Sequence, residues 1–169
     1  MRVLGIDPGT VRMGYGVLEQ VDNVISVREW GVLEAPSRLP MEKRLVKLYA
    51  GLLALIDHSQ PDQAAIEEPF VHSNVRSAMM IGEAKAVAIL AVAGRGLPVF
   101  HYAPRQVKQA VTGHGGSDKE QVQEMVRLQL GMADPPTPLD ASDAIAVALC
   151  HLQRVSAEKV LTRDGEITG

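Results

Sequence analysis

Residues 2–19, RVLGIDPGTVRMGYGVLE, contain two apolar segments separated by a turn. The first six of these residues are a short apolar run that predicts a buried strand, and Pro8-Gly9 predicts the turn that ends it. Residues 13–19 predict a second strand and residues 24–33 a third. Consecutive strands with short connections are typical of an antiparallel meander. The chain is therefore expected to begin with the antiparallel part of a sheet.

Helix and strand patterns alternate in the rest of the chain. Residues 39–57 carry apolar side chains at helical spacing, which predicts an amphipathic helix, and the short apolar run 62–67 suits a buried parallel strand. Further on, the pattern predicts a helix over 73–92, a fifth strand over 97–102, and helices over 104–112, 118–130 and 139–153. This order predicts an α/β fold in which a five-stranded mixed sheet is flanked by helices.

Composition limits the classes of protein to which the chain can belong. It has 169 residues, 46% of them hydrophobic, and a net charge of −3, which is ordinary for one globular domain. A single domain over 1–155 is predicted, followed by a polar, frayed tail over 156–169. The single cysteine excludes a disulfide framework and a CxxC zinc site. Since no secretion signal and no membrane-length apolar run is visible, a cytoplasmic location is expected.

Charge is unevenly distributed along the chain. Residues 76–127 contain seven basic and four acidic residues, whereas residues 1–75 contain seven basic and ten acidic ones, and residues 128–169 contain three and six. The middle segment is therefore where an anionic partner is expected to bind.

Four acidic residues stand in positions that are unusual for a structural role. Asp7 and Glu67 end otherwise apolar strand segments. Asp140 and Asp143 lie three residues apart at the start of an apolar helix, on one helical face. Ligands bind at the carboxyl ends of strands in open α/β sheets, and converging carboxylates repel one another unless cations such as Mg²⁺ or Mn²⁺ neutralise them. Two such ions stabilise both oxygens of a phosphodiester displacement, so metal-assisted phosphodiester hydrolysis is the predicted chemistry.

Each acid also has a purely structural interpretation. Asp7 could belong to a turn with Pro8-Gly9, and Asp140 could cap the N-terminus of the last helix. Glu67 and Glu68 could be the solvated end of a strand. The residues alone leave open whether the four carboxylates converge.

Four segments carry a resemblance to a known family: GIDPGTVRMGYGV (5–17), AAIEEPFVHSN (64–74), PRQVKQAVTGHGGSDKEQVQEMV (104–126) and DASDAIAVALCH (140–151). In their order and spacing they resemble the RuvC family of Holliday-junction resolvases, in the ribonuclease H-like superfamily. The resemblance implies a five-stranded mixed sheet, a homodimer, and an endonuclease that nicks two opposed strands of a four-way DNA junction in recombination and repair. It also suggests the RuvA and RuvB branch-migration proteins as partners.

The resemblance implies a role for each of the four acids. Asp7 is similar to the family's carboxylate that bridges both metal ions, and Glu67, rather than its neighbour Glu68, is similar to the ligand from the second strand. Asp140 and Asp143 are similar to the ligand pair from the last helix. The implied cofactor is Mg²⁺ or Mn²⁺, with two ions in each active site.

The resemblance also singles out basic residues. Lys108 and Lys119 match family lysines near the scissile phosphate, and Lys119 is expected to act catalytically by offsetting charge that develops on that phosphate. Arg76, Lys85 and Arg105 are further candidates for contacts with DNA phosphates. The alternative for the lysines is a solvated helix face.

Three further features belong to the same hypothesis. Phe70 is expected to follow the fourth strand and to act as a wedge that stacks on or unstacks bases of the junction; a core aromatic is the alternative. The GHGG segment over 113–116 is expected to be a flexible link that can approach the DNA backbone. The Ala- and Met-rich helix over 73–92 is expected to form the dimer seam, the alternative being that it packs only on its own sheet.

Three other functions stay open at this point. GIDPGT also resembles the phosphate loop of actin-like and sugar-kinase-like ATP-binding proteins, but the second phosphate loop and the adenosine motif of those proteins are missing. A module that binds branched DNA without cutting it would not need the four acids. A related nuclease could act on RNA–DNA hybrids or precursor RNA, which a comparison of substrates would reveal.

Overall fold

The computed structural model describes residues 1–68 and 75–165. Within them it contains five strands, β1 (Arg2–Asp7), β2 (Arg12–Val21), β3 (Val24–Glu34), β4 (Gln63–Glu67) and β5 (Val99–Tyr102). It also contains five helices, α1 (Met41–Ser59), α2 (Val75–Ala93), α3 (Pro104–Thr112), α4 (Lys119–Gln129) and α5 (Leu139–Gly165). In this part of the chain, no helix is long and apolar enough to cross a membrane.

All five strands belong to one sheet in the order β3-β2-β1-β4-β5. β2 pairs antiparallel with both β1 and β3, whereas β4 lies parallel to both β1 and β5. The predicted α/β fold, a five-stranded mixed sheet flanked by helices, is therefore confirmed.

The core has one layer on each face of the sheet. On one face, α1 and α2 pack against side chains that include Leu4 of β1 and Ala64 of β4. On the other face, α3, α4 and α5 pack against Val3 and Ala65 of the same strands. Because β1 and β4 are covered on both faces, their sequences are continuous apolar runs.

The register of β1 and β4 determines where their terminal acids lie. Ile6 pairs with Ile66, and Asp7 and Glu67 follow directly, so both acids stand at the same edge of the sheet. Successive side chains of a strand point to opposite faces. Since Ile6 and Ile66 pack on the α1–α2 side, Asp7 and Glu67 point to the side that α5 covers.

α5 approaches the sheet closely because glycines stand beneath it. A Cβ at Gly5 of β1 would overlap the carbonyl oxygen of Ala144, and a Cβ at Gly14 of β2 would overlap that of Asp140. With no side chain at these two positions, the helix backbone rests directly on the strands. The contact places the start of α5, and with it Asp143, over the carboxyl end of β1.

α5 is longer than predicted. The predicted last helix ends at residue 153, whereas α5 continues to Gly165, so much of the predicted frayed tail is helical. Arg154 and Glu158 form an ion pair of 2.8 Å one turn apart, and Ser156 accepts a hydrogen bond of 3.0 Å from β2. These contacts extend the helix beyond the point where its apolar pattern ends.

Replacing Gly5 by alanine is expected to lower the free energy of unfolding by about 1–3 kcal/mol, because the added methyl group must push α5 away from β1. Gly82→Ala is the matched control: a Cβ at Gly82, inside α2, meets nothing within 4 Å outside its own helix backbone. This change should leave stability unchanged or raise it by up to about 1 kcal/mol. Urea unfolding measures both values, and equal stabilities of the two variants would contradict the close packing of α5 on β1.

Candidate active site

The carboxyl ends of β1 and β4 face a cavity of about 280 Å³. Its charged lining includes Asp7 and Glu67 from the strands and Asp143 from α5. It also includes Lys108 from α3 and Lys119 from α4. The fold thus brings together acids from two strands and one helix, with two lysines beside them.

The side chains of Asp7 and Glu67 lie close enough to influence each other's pKa. Loss of contact with water, followed by the negative charges of Glu67 and Asp143, raises the pKa of Asp7 to about 8. Loss of contact with water and the charge of Asp143 likewise raise the pKa of Glu67 to about 7. Near neutral pH such a pair retains a proton unless a cation neutralises it.

Glu68 also lines the cavity, but it has a different partner. As the residue after Glu67, it leaves the strand, and its carboxylate Oε1 lies 3.2 Å from Nζ of Lys85. Its side chain is 48% exposed. The structure therefore places Glu67, and not Glu68, against Asp7.

Lys119 forms an ion pair with Asp143 inside the cavity. Its Nζ lies 2.6 Å from Oδ2 of Asp143, whose side chain is only 16% exposed. Lys119 is the first residue of α4, and Asp118 caps this helix by accepting a hydrogen bond of 2.8 Å from the backbone N–H of Gln121. Loss of contact with water lowers the pKa of Lys119, but the hydrogen bond with Asp143 and the surrounding acids outweigh this and raise it.

Asp140 is close to the other acids but is not among the residues that line the cavity. Its Oδ2 lies 3.3 Å from Nε of Arg12, at the start of β2. Its charge makes a small contribution to the raised pKa of Asp7. No local pattern in the sequence indicates this pair, because Arg12 and Asp140 are distant in the chain.

Two of the predicted basic residues, Lys108 and Lys119, reach the cavity. The other three are not among its lining residues: Lys85 pairs with Glu68, Arg105 packs against Gly115, and Arg76 is exposed in the first turn of α2. Phe70, the predicted wedge, lies outside the described residues.

Hydrogen bonds hold the connection between α3 and α4, which was predicted to be flexible. The hydroxyl of Thr112 lies 2.7 Å from that of Ser117. The side-chain amide of Gln109 donates to one glycine carbonyl at 2.6 Å and accepts from another glycine N–H at 3.1 Å. Glycine content alone did not reveal these contacts, because flanking polar side chains make them. They position Lys119 relative to Lys108 across the connection.

The donor set fits a hard divalent cation. Carboxylate oxygens are the ligands that Mg²⁺ and Mn²⁺ prefer, and Asp7, Glu67 and Asp143 present them to one cavity. As arranged, however, no three acidic, histidine or cysteine side chains in residues 1–68 and 75–165 form a group that could hold an ion. The ammonium group of Lys119 lies against Asp143, so ligation by this carboxylate requires that group to move.

Comparison with known proteins places this site in a family. The family model described as crossover junction endodeoxyribonuclease RuvC matches residues 3–151. A crossover junction endodeoxyribonuclease RuvC from Chloroflexus aggregans is 53% identical over 151 residues, which cover 89% of this chain and 92% of that protein.

Solved structures agree with the sequence comparison. The structure of Thermus thermophilus RuvC matches with a TM-score of 0.84 and 33% identity, over 94% of this chain and 97% of that one. Thermus thermophilus RuvC in complex with a Holliday junction substrate matches with a TM-score of 0.83 and 35% identity, over 90% and 93%. The ribonuclease H-like fold is therefore confirmed, and the chain belongs to the RuvC family of crossover junction endodeoxyribonucleases.

Proposed function

We propose that this chain is an endonuclease that resolves four-way DNA junctions by metal-assisted hydrolysis of one phosphodiester bond in each of two opposed strands. The observation that carries the proposal is the meeting of Asp7, Glu67 and Asp143 in one cavity of a RuvC-family chain. A relative with 35% identity is described in complex with a Holliday junction substrate, which supports the choice of substrate.

Asp7, Glu67 and Asp143 are the residues proposed to hold the cation. Bound there, Mg²⁺ or Mn²⁺ would supply Lewis-acid stabilisation of the attacking and leaving oxygens of the displacement, most effectively as a pair of ions. Asp140 would join the ligand set if its carboxylate left Arg12, 3.3 Å away. The raised pKa values of Asp7 and Glu67 support this assignment, because partly buried carboxyl groups that resist ionisation gain most from a nearby cation.

Lys119 is proposed to have two successive partners. In the absence of the cation its ammonium group neutralises Asp143 at 2.6 Å. With a cation held beside Asp143, the ammonium group of Lys119 would be free to face the phosphate, where it would offset the charge that develops during displacement. Lys108, on the other wall of the cavity, is proposed to bind the phosphate as a second fixed positive charge.

A homodimer is proposed because a two-fold substrate is matched by a two-fold enzyme. α2, which was expected to form the dimer seam, exposes large apolar side chains: Val75 (67%), Met79 (67%) and Leu90 (63%). Their spacing places these three side chains on one face of the helix, and exposed apolar groups that share a face are typical of a surface that a partner covers. The RuvA and RuvB proteins are proposed as functional partners from the family resemblance alone.

A cleavage assay tests the proposed function. A mobile four-way junction, a linear duplex with the same arm sequences and an RNA–DNA hybrid are incubated with the protein in Mg²⁺, Mn²⁺ or EDTA. Paired, symmetric, metal-dependent nicks are expected only in the junction. Asp7→Asn and Glu67→Gln should each slow cleavage by more than about 100-fold while junction binding persists, because a ligand is lost but the basic surface is kept. Glu68→Gln is the matched control and should cleave nearly as the natural chain does.

Each contrary outcome of this assay points to a definite alternative. Cleavage of the RNA–DNA hybrid, with the junction left intact, would indicate a related nuclease that acts on RNA. Tight junction binding with no cleavage in either metal would indicate a module that recognises branched DNA without cutting it. Equal activities of Glu67→Gln and Glu68→Gln would remove Glu67 from the ligand set.

Lys119→Ala is expected to bind Mn²⁺ several-fold more tightly, because the cation no longer competes with the ammonium group for Asp143. The same change should lower the single-turnover cleavage rate by about 10–100-fold, since a positive charge at the phosphate is lost. Lys108→Ala, which removes a lysine with no ion pair in the described structure, should lower the rate and tighten Mn²⁺ binding much less than Lys119→Ala does. Isothermal titration and rapid-quench kinetics measure the two effects. Weaker Mn²⁺ binding in Lys119→Ala would contradict the exchange of partners.

Stability without metal should fall as pH rises from about 4 to about 8. The folded chain keeps protons on Asp7 and Glu67 up to pKa values of about 8 and about 7, whereas the unfolded chain releases them near pH 4. A divalent cation replaces these protons, so Mg²⁺ should raise the melting temperature more at about pH 8 than at about pH 5. Thermal melts in EDTA and in Mg²⁺ measure this, and Asp7→Asn should flatten the pH dependence. A pH dependence that is the same in Asp7→Asn and the natural chain would contradict the assignment.

A further inference from the structure

Arg44, on the first turns of α1, is a buried cation without a matching anion. It is 9% exposed, and among the described residues no carboxylate lies within 4 Å of it. Its Nη1 donates a hydrogen bond of 3.1 Å to the hydroxyl of Thr10, and its buried Nε has no hydrogen-bond partner. Arg2 also has a buried Nε without a partner, but its guanidinium has a matching anion, because Nη2 pairs with Glu19 at 2.9 Å.

A buried guanidinium with unused donors is costly to the folded state. Buried charges are ordinarily paired, because the loss of hydration is otherwise uncompensated. The fork of the guanidinium group, with five N–H donors, is suited to the oxygens of a phosphate. Since Thr10 supplies only a hydroxyl, Arg44 keeps donors that no group in the described part of the chain uses.

The N-terminus of α1 adds positive potential at the same place. Side chains in a helix lean toward its N-terminus, so Arg44 lies over the first turn of α1. Pro40, at the N-cap position, makes no side-chain capping hydrogen bond. The first N–H groups of a helix carry a partial positive charge and favour anions. Glu42 is the one acid of this first turn, and it is exposed beside the exposed Lys43.

The topology places this group at the catalytic end of the sheet. β3 is antiparallel to β2, which is antiparallel to β1, so β3 and β1 end at the same edge. α1 begins at Met41, shortly after β3 ends at Glu34. Thr10 follows Asp7 by three residues, a span of at most about 11 Å. Arg44 therefore lies at the same edge of the sheet as the cavity, although α1 packs on the opposite face.

We propose that Arg44 and Thr10, with the N-terminus of α1, bind a backbone phosphodiester of the DNA substrate, close to the phosphate that is cut. The ligand chemistry is a phosphate group, and its source is the DNA strand. The proposal rests on the proposed function only for DNA as the source of the phosphate; the choice of Arg44 as an anion-binding group rests on its unpaired guanidinium. Arg44 is a substrate-binding residue in this account, and it reads no base sequence.

Junction binding as a function of salt tests the proposal. Dissociation constants are measured in EDTA by fluorescence anisotropy between about 50 and 200 mM KCl, for the natural chain and for Arg44→Gln, Thr10→Val and Thr10→Ser. Arg44→Gln should weaken binding about 10-fold and reduce the slope of log K against log salt by about 0.7–0.9, the value for one phosphate. Thr10→Val should weaken binding less, and Thr10→Ser should restore it. Lys47→Gln, an exposed lysine on the same helix, is the matched control and should keep the slope.

A stability measurement separates phosphate binding from a purely structural role. Without DNA, Arg44→Gln should melt at the same temperature as the natural chain or higher, because an unpaired buried charge is removed. A lower melting temperature together with an unchanged salt slope would overturn the proposal. Failure of the natural chain to bind the junction at all would refute the proposed function, and that outcome is distinct from an unchanged slope in a variant.

The natural chain itself provides a second test, which does not depend on any variant folding. In nitrogen-15 spectra of the arginine side chains, the Nε–H resonance of Arg44 should shift on saturation with junction DNA. Inorganic phosphate at millimolar concentration should shift the same resonance more weakly. A shift with phosphate but none with DNA would show an adventitious anion site and would overturn the proposal, as would the absence of any shift.

Discussion

The parallel pairing of β1 with β4 is the constraint on which the rest of the site depends. Ile6 and Ile66 pair within the sheet, so Asp7 and Glu67 follow at its edge on one face. Partial burial raises the pKa of both groups, and the negative charge of Asp143 raises each of them further. The charged residues around this edge either add negative charge, as Asp143 does, or partly neutralise it, as Lys119 does.

The close approach of α5 adds to that charge and also helps to control it. Because Gly5 has no side chain, α5 brings Asp143 over the end of β1. α4 then brings Lys119 to 2.6 Å from Asp143. We propose that this ammonium group is an internal counterion that a metal ion replaces. The same group would then stabilise the metal-free protein and take part in the reaction of the metal-bound one. Arg12 is the corresponding counterion of Asp140, at 3.3 Å, beside the cavity.

Much of this arrangement could be predicted from local patterns. The apolar runs that end at Asp7 and Glu67 predicted two buried strands, and strand alternation explains why Glu67 and not Glu68 faces Asp7. The order of elements and the sheet were predicted correctly for the same reason, since apolar periodicity is a property of neighbouring residues.

The contacts that could not be predicted join residues distant in the chain. The pairs Lys119–Asp143 and Arg12–Asp140 depend on how helices dock on the sheet, which no spacing in the sequence encodes. Polar side chains make the hydrogen bonds that hold the α3–α4 connection, and polar side chains also make the contacts that extend α5 to Gly165. The apolar periodicity that predicts helices and strands carries no information about either. The unpaired guanidinium of Arg44 is visible only once its surroundings are known.

The most direct test of the central claim is an anomalous difference map from crystals of the natural chain soaked in Mn²⁺. The account predicts a peak in the cavity within about 2.0–2.4 Å of carboxylate oxygens of Asp7 and its neighbours, with Nζ of Lys119 moved away from Asp143. A cavity without Mn²⁺ at saturating concentration, or a bound ion with the Lys119–Asp143 pair still intact, would contradict it.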